Sequence, residues 1–131
     1  MSLRRPDQRW GPSVPTMHDD RPWGSYDVVD AGPGFQVKRL VVKPGKRFSY
    51  QRHRLRSEHW YVVAGGGIVT LDGEELPVGP GDAVDIAVGA AHRATNTGTS
   101  EDLVLIEVQT GSYFGEDDII RLDDDYGRCR H

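Results

Sequence analysis

The sequence of 131 residues has the length of about one domain, with 37% hydrophobic residues and a formal net charge of −4. Acidic residues gather near the C-terminus, at 116–118 and 123–125; their simplest interpretation is a solvated tail, and they argue against a nucleic-acid-binding or basic membrane-binding surface. One cysteine, Cys129, excludes an intrachain disulfide, and no apolar run has the length of a signal peptide or a membrane span, so we expect a cytoplasmic protein.

The chain begins with a proline-rich stretch and continues as a series of short strand-like runs. Residues 1–20 have little apolar periodicity and are predicted to form an extended, partly ordered arm before a single barrel domain at 21–131. The predicted strands are 25–30, 35–43, 47–53, 58–64, 67–73, 75–78, 82–88, 92–97 and 102–110. With a hairpin signal at Asp72-Gly73, this pattern predicts an all-β barrel or sandwich.

The last predicted strand, DLVLIEVQT at 102–110, is apolar on both faces. Leu103 and Leu105 share one face, and Val104, Ile106 and Val108 share the other. If one face lines the barrel, the other needs a cover, which could be the N-terminal strand, the C-terminal tail or a second subunit. We favour a second subunit and therefore expect a homodimer.

The same strand carries two polar residues, Glu107 and Gln109, on the face of Leu103 and Leu105. If that face looks inward, both polar side chains enter the mouth of the barrel cavity. Glu107 is then either a functional carboxylate or a rim residue that pairs with an arginine, and the sequence favours neither interpretation.

A cluster of potential metal ligands lies at Gln51 to Trp60. Gln51 and His53 are two residues apart, so that in a strand both point to the same face, and Glu58 begins the next apolar run. We expect His92, in a segment rich in glycine and alanine, to supply a fourth ligand. Two imidazoles, a carboxylate and an amide suit zinc, manganese, iron, cobalt or nickel better than calcium or magnesium, and zinc is our first expectation.

The spacing of these residues resembles the two sequence motifs of the cupins. In this chain the first motif corresponds to Gly45, Gln51-x-His53, Glu58 and Gly65, and the second to Gly81, Ala87-x-Gly89, His92 and Asn96. Gln51 stands where the first motif has histidine, and Ala87 where the second has proline. The resemblance implies a double-stranded β-helix, or jelly-roll barrel, with one divalent transition metal at Gln51, His53, Glu58 and His92. The competing interpretation is a cupin that has kept its shape and lost its metal.

Further segments resemble one cupin branch, the isomerase domain of type II phosphomannose isomerases. These segments are RPWGSY, VKRLVVKPG, RSEHW, IEVQTGSYFGEDDIIRL and DDYGR, and they extend over about 21–128. Members of that branch often carry a histidine cluster after the first ligand, whereas this chain has Arg54 and Leu55 there. The resemblance implies interconversion of mannose 6-phosphate and fructose 6-phosphate through an enediol.

Three residues are candidates for catalysis. An extended RSE segment would aim Arg56 at the metal pocket, where its guanidinium could hold a phosphate or an enediolate oxygen, although a solvated loop arginine is the alternative. His59 lies in the matching RSEHW segment, but alternation places it on the face opposite Glu58. Glu107 is the third candidate.

Three further residues are candidates for contacts with a sugar phosphate. By the resemblance, Tyr113 and Arg128 in the C-terminal tail would reach over the barrel mouth, and Lys38 would join a phosphate clamp. The alternative for this tail is a strand extension followed by a solvated terminus.

Three functions are compatible with such a site. The first is the isomerase, the second is a non-catalytic sugar-binding or regulatory cupin, and the third is another metal chemistry such as a dioxygenase, against which Gln51 fills a position that oxygenases leave open. No Gly-rich loop precedes a helix, so we expect no guanylyltransferase activity.

Overall fold

The computed structural model describes residues 17–127, which form eleven β-strands and, within that range, no helix. No helix among these residues has the length and apolar character needed to cross a membrane. The strands are β1 (Met17–Arg21), β2 (Gly24–Gly32), β3 (Phe35–Val42), β4 (Tyr50–Arg52), β5 (Arg56–Ala64), β6 (Gly67–Leu71), β7 (Glu74–Val78), β8 (Ala83–Ile86), β9 (His92–Thr95), β10 (Leu103–Gly111) and β11 (Ile120–Asp123).

The strands form two antiparallel sheets. The six-stranded sheet has the order β1-β2-β3-β10-β5-β8, and the five-stranded sheet has the order β11-β4-β9-β6-β7. The chain therefore crosses between the sheets several times. This arrangement confirms the all-β prediction.

Two strands lie in stretches where no strand was predicted. β1 pairs with β2 along its whole length, so part of the stretch predicted as an arm belongs to the sheet. β11 pairs with β4, which carries Gln51, and so brings the acidic tail next to that strand. Both strands lie at sheet edges, where pairing with the neighbouring strand stabilises a segment that has little apolar periodicity of its own.

The hairpin between β6 and β7 has the predicted turn at Asp72-Gly73. Asp72 and Gly73 both have positive φ, at 47° and 84°, and Leu71 pairs with Glu74 across the turn. Two consecutive residues with positive φ are the signature of a type I′ turn, for which Asp-Gly is a favoured pair.

The core lies between the sheets. Trp60 and Val62 from β5 are buried against Val69 and Ala94 from the other sheet. β10 alternates as predicted, since Leu103, Leu105, Glu107 and Gln109 are all buried, while the intervening residues are half-buried on the outer face. The inward face of β10 thus changes from apolar to polar along the strand.

The outer face of the larger sheet remains partly apolar. Ile106 is paired with Tyr61, which is 47% exposed, and Val63 on the same face of β5 is 48% exposed. Among the described residues, the side chains Val104, Ile106 and Val108 stay half-buried on this face. The homodimer that would cover them stays a prediction.

Replacing Leu105 tests the packing of β10. Leu105 is fully buried in the core, so Leu105→Ala should lower the free energy of unfolding by about 2–5 kcal/mol, because it leaves a cavity. The change can be measured by urea denaturation. Leu122→Ala, at a partly exposed site in β11, is the matched control and should cost much less. Equal losses in the two variants would contradict this account of the core.

Candidate metal centre and cavity

Three buried metal-ligand side chains, His53, Glu58 and His92, come together between the sheets. Glu58 lies in β5 of the larger sheet, His92 begins β9 of the smaller sheet, and His53 follows β4. The candidate ligand atoms of the three residues lie within 4.8 Å of one another. His53 Nε2 is 3.4 Å from Glu58 Oε2, and His92 Nε2 is 3.3 Å from Glu58 Oε1.

Both imidazole rings are oriented by backbone carbonyls. His53 Nδ1 lies 2.8 Å from the carbonyl oxygen of Asp118, and His92 Nδ1 lies 2.8 Å from that of Ala90. A carbonyl oxygen can only accept a hydrogen bond, so each Nδ1 carries a proton and donates it. In the neutral rings the lone pair is then on Nε2, on the side of Glu58.

The resulting cluster contains acceptors that face one another. Within residues 17–127, neither His92 Nε2 nor Glu58 Oε1 has a hydrogen-bond partner. Burial lowers the pKa of His53, which favours its neutral form. Burial alone would raise the pKa of Glu58, but the positive charge that His92 and His53 have when they are protonated outweighs it and holds that pKa well below its usual range.

A divalent cation fits these donors. Buried acceptors without a donor are costly, and a positive ion between them removes that cost. Ligand atoms bound at about 2.0–2.2 Å to one tetrahedral zinc ion lie roughly 3.3–3.6 Å apart. Each histidine Nε2 is at such a distance from one oxygen of Glu58, although the two rings face different oxygens. The centre would be held by His53, Glu58 and His92.

Gln51 lies next to this cluster. It is paired in register with His92 and lines the same cavity as Glu58. The hydroxyl of Ser49 donates a hydrogen bond to Gln51 Oε1 at 2.9 Å, which fixes the side-chain amide. The fourth predicted ligand is thus adjacent to the other three, and its coordination stays a prediction.

Arg56 is buried beside the same carboxylate. Its Nε lies 3.2 Å from Glu58 Oε2, and its Nη2 lies 3.3 Å from His53 Nε2. A guanidinium can only donate, so its contact with His53 agrees with a lone pair on that Nε2. Arg56 therefore faces the cavity, as an extended RSE segment predicts, and is fixed further by the carbonyl of Gly115.

A second buried carboxyl group, Glu107, lies in β10, which pairs with β5 in the larger sheet. Trp60 Nε1 donates to Glu107 Oε2 at 2.9 Å, and Gln109 Nε2 donates to Oε1 at 2.8 Å. The same Gln109 nitrogen is 3.3 Å from Glu58 Oε2, so one amide lies between the two carboxyl groups. Gln36 donates to Gln109 Oε1 and thereby fixes which end of the amide faces them.

The two carboxyl groups have opposite electrostatic environments. Burial raises the pKa of Glu107 well above its usual range, and the charge of Glu58 raises it further, although Lys38 and Trp60 oppose the shift. Glu107 can therefore carry a proton at neutral pH while Glu58 is ionised. Such a pair divides the roles of proton carrier and anionic ligand between two carboxyl groups.

One cavity, which contains about 520 Å³ of space that is partly open to solvent, is lined by Gln51, Arg56, Glu58, Glu107 and Gln109, whereas His53 and His92 lie outside its lining. Its walls combine aromatic, acidic and basic side chains. The lining residues are Arg21, Trp23, Tyr26, Lys38, Leu40, Phe48, Ser49, Gln51, Arg56, Glu58, Glu107, Gln109, Glu116, Ile119 and Arg121.

Lys38 forms the basic end of the cavity. It is 5% exposed, and its Nζ lies 3.1 Å from Glu116 Oε2 and 4.3 Å from the centre of the Tyr26 ring. Arg21 also contacts the Tyr26 ring, with its guanidinium carbon 5.5 Å from the ring centre. The partner of buried Lys38 is thus a carboxylate from the half-exposed 112–119 segment.

The other predicted catalytic and substrate residues lie elsewhere. His59 is on the outer face, where its Nδ1 contacts Asp85, as strand alternation predicts. Tyr113 is 43% exposed and its hydroxyl donates to Asp117, outside the residues that line the cavity. Arg128 and Cys129 lie outside the described residues.

Two residues that matter for the site have no role in the sequence-based prediction. Gln109 is predicted to face inward, but nothing in the sequence shows that its amide joins Glu58 to Glu107. Asp118 lies in an acidic run interpreted as solvated, whereas it is buried and contacts His53 through its carbonyl. His53 and Asp118 are 65 positions apart in the chain, so no local signal of that contact exists.

Residues 13–124 match the family model described as Mannose-6-phosphate isomerase C-terminal. The chain is also 51% identical over 114 residues to the mannose-1-phosphate guanylyltransferase ManC of Salmonella typhimurium, covering 86% of this chain and 24% of ManC. The chain thus spans about a quarter of the length of the curated relatives it matches.

Solved structures share the architecture. The capsular polysaccharide assembling protein CapF from Staphylococcus aureus matches 82% of this chain and 34% of its own, with 25% identity and a TM-score of 0.72. A putative sugar phosphate isomerase from Acidithiobacillus ferrooxidans matches 59% of this chain and 50% of its own, with 30% identity and a TM-score of 0.54. The chain is a cupin and belongs to the mannose-6-phosphate isomerase C-terminal family.

Proposed function

We propose that this chain is a metal-dependent isomerase that interconverts mannose 6-phosphate and fructose 6-phosphate. The observation that carries the proposal is the buried pair of carboxyl groups: Glu58 belongs to the candidate metal centre, and its neighbour Glu107, which is not one of the three ligands, has a raised pKa. An aldose–ketose shift needs both a cation and a group that moves a proton between C1 and C2.

The comparisons support the sugar-phosphate class. The matching family model carries the description of a mannose-6-phosphate isomerase C-terminal region, and the Acidithiobacillus ferrooxidans structure is described as a putative sugar phosphate isomerase. ManC is described as a mannose-1-phosphate guanylyltransferase, and this chain corresponds to about a quarter of it. The expectation that this chain lacks guanylyltransferase activity stays a prediction.

A divalent metal, with zinc as the first expectation, would lower the energy of negative charge that develops on the sugar oxygens. His53, Glu58 and His92 would hold it, with Gln51 as the proposed fourth ligand. Glu107 would carry the proton, because it is not one of the three ligands and is held by Gln109 and Trp60; it would take the proton from the sugar carbon in its ionised form and return it in its protonated form. Arg56 would add a second positive charge at the reacting oxygens.

The phosphate group would bind at the basic end of the cavity. Lys38 is held there on the face of Tyr26 and has Glu116 as its acidic partner. We propose that the phosphate replaces the Glu116 carboxylate on Lys38. Because Lys38 is paired in register with Glu107, this contact would also bring the sugar close to the proposed proton carrier.

Zinc binding tests the metal centre. We expect about one zinc ion per chain and a higher unfolding temperature in its presence, since zinc at 100 times Kd stabilises the folded state by about 2.7 kcal/mol. His92→Ala should abolish isomerisation and weaken zinc by more than the roughly 10- to 100-fold that loss of an outer hydrogen-bond partner costs. Titration calorimetry measures the affinity.

The matched control for zinc binding is His59→Ala, which removes an imidazole from the outer face. It should bind zinc like the wild type. Unchanged zinc affinity in His92→Ala would show that the ion binds elsewhere.

Replacing Glu107 separates an enzyme from a binding protein. Glu107→Gln keeps the size of the side chain but removes its proton, so turnover of mannose 6-phosphate should fall by about 100- to 10,000-fold with near-normal binding. A coupled assay for fructose 6-phosphate measures the rate, and Glu74→Gln, at an exposed site, is the control.

Two outcomes would change the assignment. If Glu107→Gln is as fast as the wild type, another group moves the proton. If the wild type binds mannose 6-phosphate with every metal tried yet forms no product, the chain is a sugar-binding or regulatory cupin.

Replacing Glu116 tests the phosphate end. Glu116→Gln removes an anion that competes for Lys38, so mannose 6-phosphate should bind roughly two- to fivefold tighter, equivalent to up to about 1 kcal/mol. Lys38→Met should weaken binding, and Glu74→Gln should leave it unchanged. Weaker binding by Glu116→Gln would mean that Glu116 contacts the sugar rather than competing with its phosphate.

A further inference from the structure

We propose that Asp118 is the positioning residue of the metal ligand His53, because it determines which ring nitrogen carries the proton and so ties the ligand to the 112–119 segment. The proposal rests on the metal centre of the proposed function. Within residues 17–127, the hydrogen bonds that Asp118 accepts come from His53, Arg54 and Leu55. None of them involves Glu58, His92 or Glu107.

Asp118 holds the chain around His53 at three points. Its backbone carbonyl accepts the hydrogen bond from His53 Nδ1 at 2.8 Å. Its carboxylate accepts the backbone N–H groups of Arg54 at 3.2 Å and Leu55 at 2.9 Å. The side chain therefore clamps the two residues that follow the ligand, and in doing so it keeps its own carbonyl against the ring.

This clamp fixes the tautomer of His53 from the Nδ1 side, while Arg56 Nη2, 3.3 Å from Nε2, favours the same tautomer from the other side. With the proton on Nδ1, the Nε2 lone pair faces Glu58, which is 3.4 Å away. With the proton on Nε2, a hydrogen would occupy the position that a metal needs, and the carbonyl of Asp118 would face a bare nitrogen. In the metal-free protein, Asp118 thus already favours the tautomer of His53 that can bind a cation through Nε2.

The second histidine provides an internal comparison. His92 Nδ1 donates to the carbonyl of Ala90, only two residues away in the chain. Its orientation therefore depends on local backbone, whereas that of His53 depends on a segment distant in sequence. A specific effect of Asp118 should change His53 and spare His92.

The test uses the full chain, both without metal and titrated with zinc. In the metal-free protein, nitrogen NMR of the imidazoles should show both rings protonated on Nδ1. Asp118→Ala should give His53 a mixture of tautomers and leave His92 unchanged, while zinc affinity falls about 10- to 100-fold. Asp118→Asn, which keeps one acceptor oxygen, should give a smaller change of the same kind.

Asp117→Ala is the matched control, because Asp117 is a neighbouring carboxylate that contacts Tyr113 instead. It should behave like the wild type in both measurements. The proposal is wrong if Asp118→Ala keeps the His53 tautomer and the zinc affinity, or if both rings change together, which would indicate a general structural role. If the wild type binds no zinc, the metal centre is wrong, and the tautomers of the metal-free protein still decide whether Asp118 controls His53.

Discussion

Buried acceptors that face one another without a proton between them are the constraint on which this site depends. Glu58 is ionised, and the Nδ1 atoms of His53 and His92 are committed to backbone carbonyls. Keeping Glu58 Oε1 close to His92 Nε2 lowers the stability of the fold, because buried acceptors without a hydrogen-bond donor are costly. A cation at the candidate centre would offset that cost, and folding would then be coupled to metal binding.

The two sheets contribute different side chains to this cluster. The larger sheet contributes the carboxyl groups, because β5 and β10 are neighbours and place Glu58 and Glu107 on one inward face. The smaller sheet and the turn after β4 contribute the imidazoles. Small changes in the separation of the sheets would therefore change the metal geometry directly, whereas the relation between the two carboxyl groups is set within a single sheet.

Strand alternation explains how much of the site was predictable. It places Glu58, Glu107 and Gln109 inward and His59 outward, and the Asp72-Gly73 pair predicts its hairpin from local backbone preference alone. Contacts that depend on long-range closure were not predictable. The pairing of β11 with β4 and the position of Asp118 depend on surfaces that exist only once the sheets have formed.

The stretch from Gly115 to Asp118 contacts both ends of the cavity. Its members reach Arg56, Lys38 and His53, so the basic end of the cavity and the candidate metal centre share one short piece of backbone. Thermodynamic linkage makes any such coupling reciprocal: a ligand that shifts this stretch and strengthens metal binding is itself bound more tightly, by the same factor, when the metal is present. A sugar phosphate would then help to retain the ion on which its own turnover depends.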